Sequence, residues 1–179
     1  MGSMQVLSNE QETQQLIDGL AASVKGVMSM EGGPWAIVGI RRRGDVIAGW
    51  LAEELKPDYT GTVDITLYRD DLSEIGAQPI VRTTEIDFPV DGTNILLVDD
   101  VLMSGRSVRA AIQSIIDFGR PKCIKLLVLV DRGGRELPIA ADFAGRHIEA
   151  GSGQHVEVSV DEGERSAEIV MYDKSEKRK

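Results

Sequence analysis

The stretch from Asn94 to Gly119, NILLVDDVLMSGRSVRAAIQSIIDFG, constrains the fold more than any other part of the chain. Ile95 to Val98 is a short apolar run rich in branched residues, the pattern of a strand buried on both faces. It runs directly into two acids, Asp99 and Asp100. Val101, Leu102 and Met103 follow, and then the small-residue turn Ser104-Gly105-Arg106-Ser107. Beyond the turn, Val108, Ala111, Ile112, Ile115 and Ile116 recur at helical spacing, and Gly119 stands where a C-terminal cap belongs. The order is strand, acidic pair, phosphate-sized loop, helix.

That layout favours a phosphorylated sugar. A helix N-terminus offers unpaired N–H groups and the positive end of the helix dipole. Ser104 and Ser107 add hydroxyl donors, and Gly105 lets the backbone approach closely. Asp99 and Asp100 are acceptors, so they suit hydroxyls or a hydrated metal ion beside the phosphate rather than the phosphate itself. Phosphate donors next to diol acceptors fit a ribose 5-phosphate. The sequence contains neither GxxxxGK[ST] nor GxGxxG, which argues against Walker and Rossmann loops.

VDDVLMSGRS closely resembles the phosphoribosyl-pyrophosphate (PRPP) motif of type I phosphoribosyltransferases. Two further stretches resemble one branch of that superfamily. They are DITLYRDDLS, and VLVDRG followed by RELPI and ADFAG. The branch is the PyrR family of pyrimidine operon attenuators that are also uracil phosphoribosyltransferases. The resemblance runs from Trp35 to Tyr172 with its motifs in the family's order. It implies an α/β fold: a central, mainly parallel sheet flanked by helices, with a small hood built from the chain ends. The implied reaction joins uracil and PRPP to give UMP and pyrophosphate, with Mg²⁺ neutralising the leaving group.

The resemblance also implies roles. Ser104, Gly105, Arg106 and Ser107 would hold the 5-phosphate. Asp99 and Asp100 would hold the ribose hydroxyls and, through water or PRPP, the metal. GIRRRGD resembles the superfamily's pyrophosphate loop, which assigns Arg41, Arg42, Arg43 and Gly44 to PRPP. Arg41 and Arg42 would act through the backbone and Arg43 through its side chain, with the division of labour open. Arg69 and Asp70 would act with the two acids in catalysis, on a loop that folds over PRPP and excludes water. Val130, Asp131 and Arg132, at the end of a later strand, would read the base, with Arg132 as a donor to a carbonyl.

Regulation is implied as well: UMP or UTP as effector, a leader-mRNA hairpin as partner, and a homodimer or higher homo-oligomer. In the family the RNA face is basic and includes the first helix. Here QQLIDGLAASVKGV carries only Lys25, and Gly134 stands after DRG where histidine is expected. Arg135 and Arg146 remain as candidates for RNA. A formal net charge of -9 gives no bulk attraction for nucleic acid, so any RNA contact needs a local basic face.

The 179 residues suffice for one domain with a real core, expected over 4–173. Met1-Gly2-Ser3 reads as a vector remnant, and Lys174 to Lys179 as a charged tail. No apolar run approaches the roughly 20 residues of a membrane helix, and no signal peptide is evident, so a cytoplasmic setting is expected. One cysteine, Cys123, excludes an intrachain disulfide and reads as a buried inert thiol. Two isolated histidines do not suggest a histidine metal site.

The remaining elements follow from periodicity. Helices are expected over Ser8 to Met28, with Ser8 or Asn9 as cap, and over Asp45 to Leu55. Strands are expected at Trp35 to Ile40, Val63 to Tyr68, Thr83 to Phe88 and Cys123 to Val130. Gln154 to Val160 and Glu168 to Tyr172 read as a closing hairpin. Arg69 to Pro79 has no periodicity and reads as a binding loop. Three rivals stay open: a nucleotide-sensing RNA regulator with little catalysis, a type I enzyme for another base, and a non-catalytic protein. The last leaves two acids and three arginines unexplained.

Overall fold

The computed structural model describes residues 4–66 and 83–173. Its centre is a five-stranded parallel sheet in the order β3-β2-β4-β5-β6. These strands are β2 (Trp35–Ile40), β3 (Tyr59–Val63), β4 (Asn94–Leu102), β5 (Cys123–Asp131) and β6 (Phe143–His147). Every residue of β2 is buried, as its unbroken apolar run requires. Helices α1 (Glu10–Glu31) and α2 (Gly44–Leu55) cover one face, and α3 (Arg106–Ile116) the other.

Alternation along β4 divides the core. Leu96 and Val98 join the cluster formed with Ile17, Leu20, Ile47 and Leu51 of α1 and α2. Ile95 and Leu97 join Val108, Ala111 and Ile115 of α3. At the strand's end the parity reverses: Val101 packs on the α1–α2 side and Leu102 on the α3 side. The reversal falls across Asp99 and Asp100.

The chain ends form a second sheet. β1 (Gln5–Ser8), β7 (Gln154–Asp161) and β8 (Ser166–Asp173) pair antiparallel in the order β1-β8-β7. This is the hood, and its Val156, Val158 and Ile169 pack into the α1–α2 cluster. β1 was not legible in the sequence, because four residues are too few for a period-2 signal. Ser8 therefore closes a strand rather than opening a helix. Asn9 caps α1 instead, its side chain accepting from the Glu12 amide at 2.9 Å while the Glu12 side chain accepts from the Asn9 amide at 3.0 Å.

Two strand readings need correction. Of the strand expected over Val63 to Tyr68, only Val63 is strand, as the last residue of β3; residues 64–66 are not, and Leu67 and Tyr68 lie outside the described residues. Asp64 ends β3 by a local turn: its carboxylate accepts from the Thr66 amide at 2.8 Å and the Thr66 hydroxyl at 2.5 Å. The strand expected over Thr83 to Phe88 is a single antiparallel bridge between Glu85 and Thr62. α3 stops at Ile116 with Asp117 as its C-cap, and Gly119 lies two residues beyond. No described helix is long and apolar enough to cross a membrane.

Two glycines set how closely α2 meets the sheet. A Cβ at Gly39, inside β2, would lie 2.3 Å from the Cα of Asp45; one at Gly44 would lie 2.5 Å from the Val98 carbonyl oxygen. Only glycine lets the start of α2 rest directly on β2 and β4. That contact brings the loop before α2 beside the end of β4. Gly39→Ala should therefore destabilise by about 1–3 kcal/mol, since the opposing atoms are backbone and cannot turn aside. A thermal melt should read a fall of several degrees.

Candidate active site

At the carboxyl ends of β2 and β4 lies a cleft of about 710 Å³, lined by Arg41, Arg42, Arg43, Asp99, Asp100 and Ser107 among others. This is where parallel sheets place ligands. The three arginines divide. Arg41 turns toward β3, donating to Thr62 Oγ1 at 2.9 Å and pairing with Glu85 at 3.2 Å. Its amide donates to the Val63 carbonyl at 2.9 Å, which fixes the loop. Arg42 is exposed. Arg43 lies at the start of α2 with φ 71°, and its guanidinium stands 3.6 Å from Asp100 and 2.7 Å from Glu157. Gly44 sits beneath them against Val98 and Asp99.

Asp99 is buried, and burial pushes its carboxyl well above the usual value of 3.8. The adjacent Asp100 charge pushes it further in the same direction. Each acid also closes on the next amide: the Asp100 N–H donates to Asp99 Oδ1 at 2.9 Å, and the Val101 N–H to Asp100 Oδ1 at 2.8 Å. Among the described residues no group of three or more His, Cys, Asp or Glu side chains could hold a metal ion by itself.

The loop after β4 begins α3. Gly105 takes φ 89° and is the helix N-cap, with no side chain to cap the helix, while the Arg106 amide donates to Ser104 Oγ at 3.2 Å. The Ser104 carbonyl accepts from the amides of Glu136 and Leu137 at 3.0 and 3.1 Å. Arg106 pairs with Glu136 at 2.5 Å, so its charge is turned to the neighbouring loop. Ser104, Gly105 and Arg106 border the cleft through Ser107 rather than lining it.

β5 ends beside this loop. Val130 pairs with Val101, Asp131 with Leu102, and the Arg132 amide donates to the Leu102 carbonyl at 3.0 Å. Arg132 is buried; it donates to the Gly151 carbonyl at 3.4 Å, and its Nε has no partner among the described residues. Burial by itself would raise the Asp131 pKa, but the Arg135 hydrogen bond, the Gly133 amide and the Arg135 charge outweigh it and lower the value. Arg135 joins three segments, donating to Asp131 at 2.5 Å, Met103 O at 3.0 Å and Ile139 O at 2.7 Å. Arg146 donates to the Leu7 carbonyl and to Ser8 Oγ, tying β6 to β1. Both guanidinium groups put forward for RNA thus have acceptors within the chain.

Arg69 and Asp70 lie outside the described residues. Sequence reasoning missed Asp45, Ile65, Thr66, Val160 and Glu162, which also line the cleft. It also missed Glu157, for which no local signal exists: it is 114 positions from its partner Arg43. Burial and the Glu31 charge raise the Cys123 thiol pKa, and its Sγ contacts Asn94 Oδ1 at 3.3 Å, consistent with an unreactive residue.

The sequence pattern of the phosphoribosyl transferase domain matches residues 4–163. The bifunctional protein PyrR of Pelotomaculum thermopropionicum is 46% identical over 149 residues, covering 80% of this chain and 82% of that protein. The protein of the same name from Thermus aquaticus is 49% identical over 144 residues, covering 78% and 80%. This chain belongs to the PyrR family. Among solved structures, a hypoxanthine-guanine phosphoribosyltransferase from Bacillus anthracis superposes with a TM-score of 0.66 at 20% identity, covering 81% of this chain and 84% of that one. The hypoxanthine phosphoribosyl transferase of Trypanosoma cruzi gives 0.69 at 19% identity, covering 93% and 90%. At that identity they establish the fold: PyrR chains and purine enzymes share a type I phosphoribosyltransferase framework.

The raised Asp99 pKa has a sign that can be tested. Below 3.8 the carboxyl carries its proton folded and unfolded, and nothing is lost. As pH rises past 3.8 the unfolded chain releases the proton while the folded one resists, so stability falls with pH until the folded group also ionises. Asp99→Asn should therefore melt a few degrees above the parent at pH 7. The gap should close as pH approaches 4, and paired melts across that range would check it.

Proposed function

We propose that this chain is a uracil phosphoribosyltransferase that also regulates pyrimidine expression through RNA. Uracil attacks PRPP to give UMP and pyrophosphate. The observation that carries the catalytic half is the meeting of the Arg41–Arg43 loop with Asp99 and Asp100 at one end of one sheet. Cations that suit a diphosphate stand beside acceptors that suit a ribose diol, with a helix N-terminus next to both.

Each role follows from charge. First-turn amides of α3, with Ser104, Gly105, Arg106 and Ser107, hold the 5-phosphate. Asp99 and Asp100 accept from the ribose hydroxyls. Arg43 contacts pyrophosphate by side chain, while Arg41, whose side chain is engaged with Thr62 and Glu85, contributes backbone, as do Arg42 and Gly44. Val130, Asp131 and Arg132 read the base. The orphaned Nε of a buried Arg132 supports that reading, because a buried donor needs an acceptor such as a uracil carbonyl. Arg69 and Asp70 belong to the loop that closes over PRPP.

Magnesium fits the acceptor set. It favours oxygen ligands, keeps several waters, and binds through one or two carboxylates plus substrate phosphates. Asp99 and Asp100 with PRPP oxygens meet that description. When bound, it neutralises charge on the departing pyrophosphate. The chain's own contribution is read as positioning and electrostatic stabilisation by the arginine loop and the start of α3.

The regulatory half comes from the relatives' name, bifunctional protein PyrR. UMP or UTP would occupy the same cleft, and a leader mRNA would meet a homodimer or higher oligomer in the cytoplasm. With Arg135 and Arg146 engaged inside the chain and a net charge of -9, RNA affinity should be modest and confined to low salt.

The deciding assay supplies PRPP and Mg²⁺ with uracil, hypoxanthine, guanine, adenine or orotate. UMP should form with uracil alone. Asp99→Asn/Asp100→Asn and Arg43→Ala should each lower kcat/KM by about 100-fold or more. A purine nucleotide instead would transfer the assignment to another base. A gel shift with a pyrimidine-operon leader should appear at low salt and vanish as salt rises; no shift at low salt would remove the regulatory half.

A further inference from the structure

Arg43 hangs between two carboxylates. One Nη faces Asp100 Oδ2 in the cleft at 3.6 Å, and the other donates to Glu157 Oε1 at 2.7 Å. Glu157 belongs to β7 of the hood. Its neighbours Val156 and Val158 are buried in the core, which fixes the strand that carries it. Its second oxygen, Oε2, accepts from the Tyr172 hydroxyl at 2.9 Å. Tyr172 in turn packs against the ring of His155, with centroids 5.1 Å apart. A carboxylate with both oxygens bonded and its strand anchored is a fixed post, and Arg43 is fastened to it.

The fastened residue is unusual in its backbone. Arg43 takes φ 71°, a left-handed conformation that residues with a Cβ seldom adopt. It is also the first residue of the turn into α2, and it has no side-chain cap. An ionic hydrogen bond from its far end helps hold a loop that the backbone alone disfavours. An untethered arginine loses rotamer freedom when it binds an anion; one held by half of its fork loses less.

We propose that Glu157, steadied by Tyr172, is a positioning residue for the pyrophosphate loop. It holds the Arg43 guanidinium over the cleft so that one Nη stays directed at the diphosphate of the substrate. The inference rests on the PRPP-binding reading above. The hood thereby acts on Arg43 through Glu157, in addition to the Val160 and Glu162 that line the cleft directly. The negative charge of Glu157 does not oppose the substrate strongly, because Arg43 and Tyr172 already occupy both of its oxygens.

The test is calorimetric titration of the full chain with PRPP and Mg²⁺, paired with KM for each substrate. Glu157→Ala should weaken PRPP binding about fivefold. The isosteric Glu157→Gln, which keeps an acceptor, and Tyr172→Phe should each weaken it about twofold. KM for PRPP should rise in step while KM for uracil stays unchanged. On an Arg43→Ala background, Glu157→Ala should cost nothing more, because its effect passes through Arg43. Equal or tighter PRPP binding by Glu157→Ala, or a full additive loss in the double variant, would overturn the role of Glu157. A parent chain that binds no PRPP would instead overturn the proposed function, and this inference with it.

Discussion

Two adjacent carboxylates towards the carboxyl end of the buried central strand are the constraint to which the rest of the structure answers. β4 carries Asn94 to Val98 through the centre of the sheet with no exposed residue and then delivers Asp99 and Asp100 at its edge. Burial, and then the like charge of Asp100, raise the pKa of the Asp99 carboxyl. The surroundings supply limited compensation: a backbone amide for each acid and one guanidinium, Arg43, near Asp100. Stability is given up at the place where binding is needed.

Compensation arrives from three directions, and each depends on a different part of the chain. α2 brings the arginine loop, and it reaches the acids only because Gly39 and Gly44 let helix and sheet touch backbone to backbone. α3 brings its N-terminal turn, opened by Gly105. The hood, made from the two ends of the chain, brings Glu157 to grip Arg43. Arg135 joins the β4–α3 loop to the end of β5, so these two segments are fixed relative to each other by one guanidinium with three acceptors. A fold of this kind keeps its framework in purine enzymes at about 20% identity, because the framework needs only a parallel sheet and close helix packing. What differs between such enzymes must lie in the side chains that these contacts hold in place.

The two strongest readings, the central unit and the arginine loop, were legible because strong local signals agreed there. Unbroken apolar strands, small-residue turns and helical periodicity are short-range patterns, and VDDVLMSGRS and GIRRRGD contain all that is needed to put acids and arginines at strand ends. β2 matched its apolar run residue for residue. The reading failed where a local turn or a distant partner decided the outcome. Asp64 stopped β3 by taking the Thr66 amide, although DITLY alternates like a strand. β1 exists only because β8 offers an edge.

By itself the sequence determined the fold class, the order of the sheet-forming runs and which residues cluster at the carboxyl edge, because these follow from hydrophobic period and turn chemistry acting over a few residues. Tertiary structure alone decided the division of labour among the arginines. Arg41 faces Glu85, Arg43 spans Asp100 and Glu157, and Arg135 and Arg146 turn inward to carbonyls and carboxylates. The reversal of side-chain parity across Asp99 and Asp100 also belongs to the assembled sheet. A long cationic side chain settles on whichever acceptor packing brings within reach, and those acceptors come from strands and loops far away in sequence.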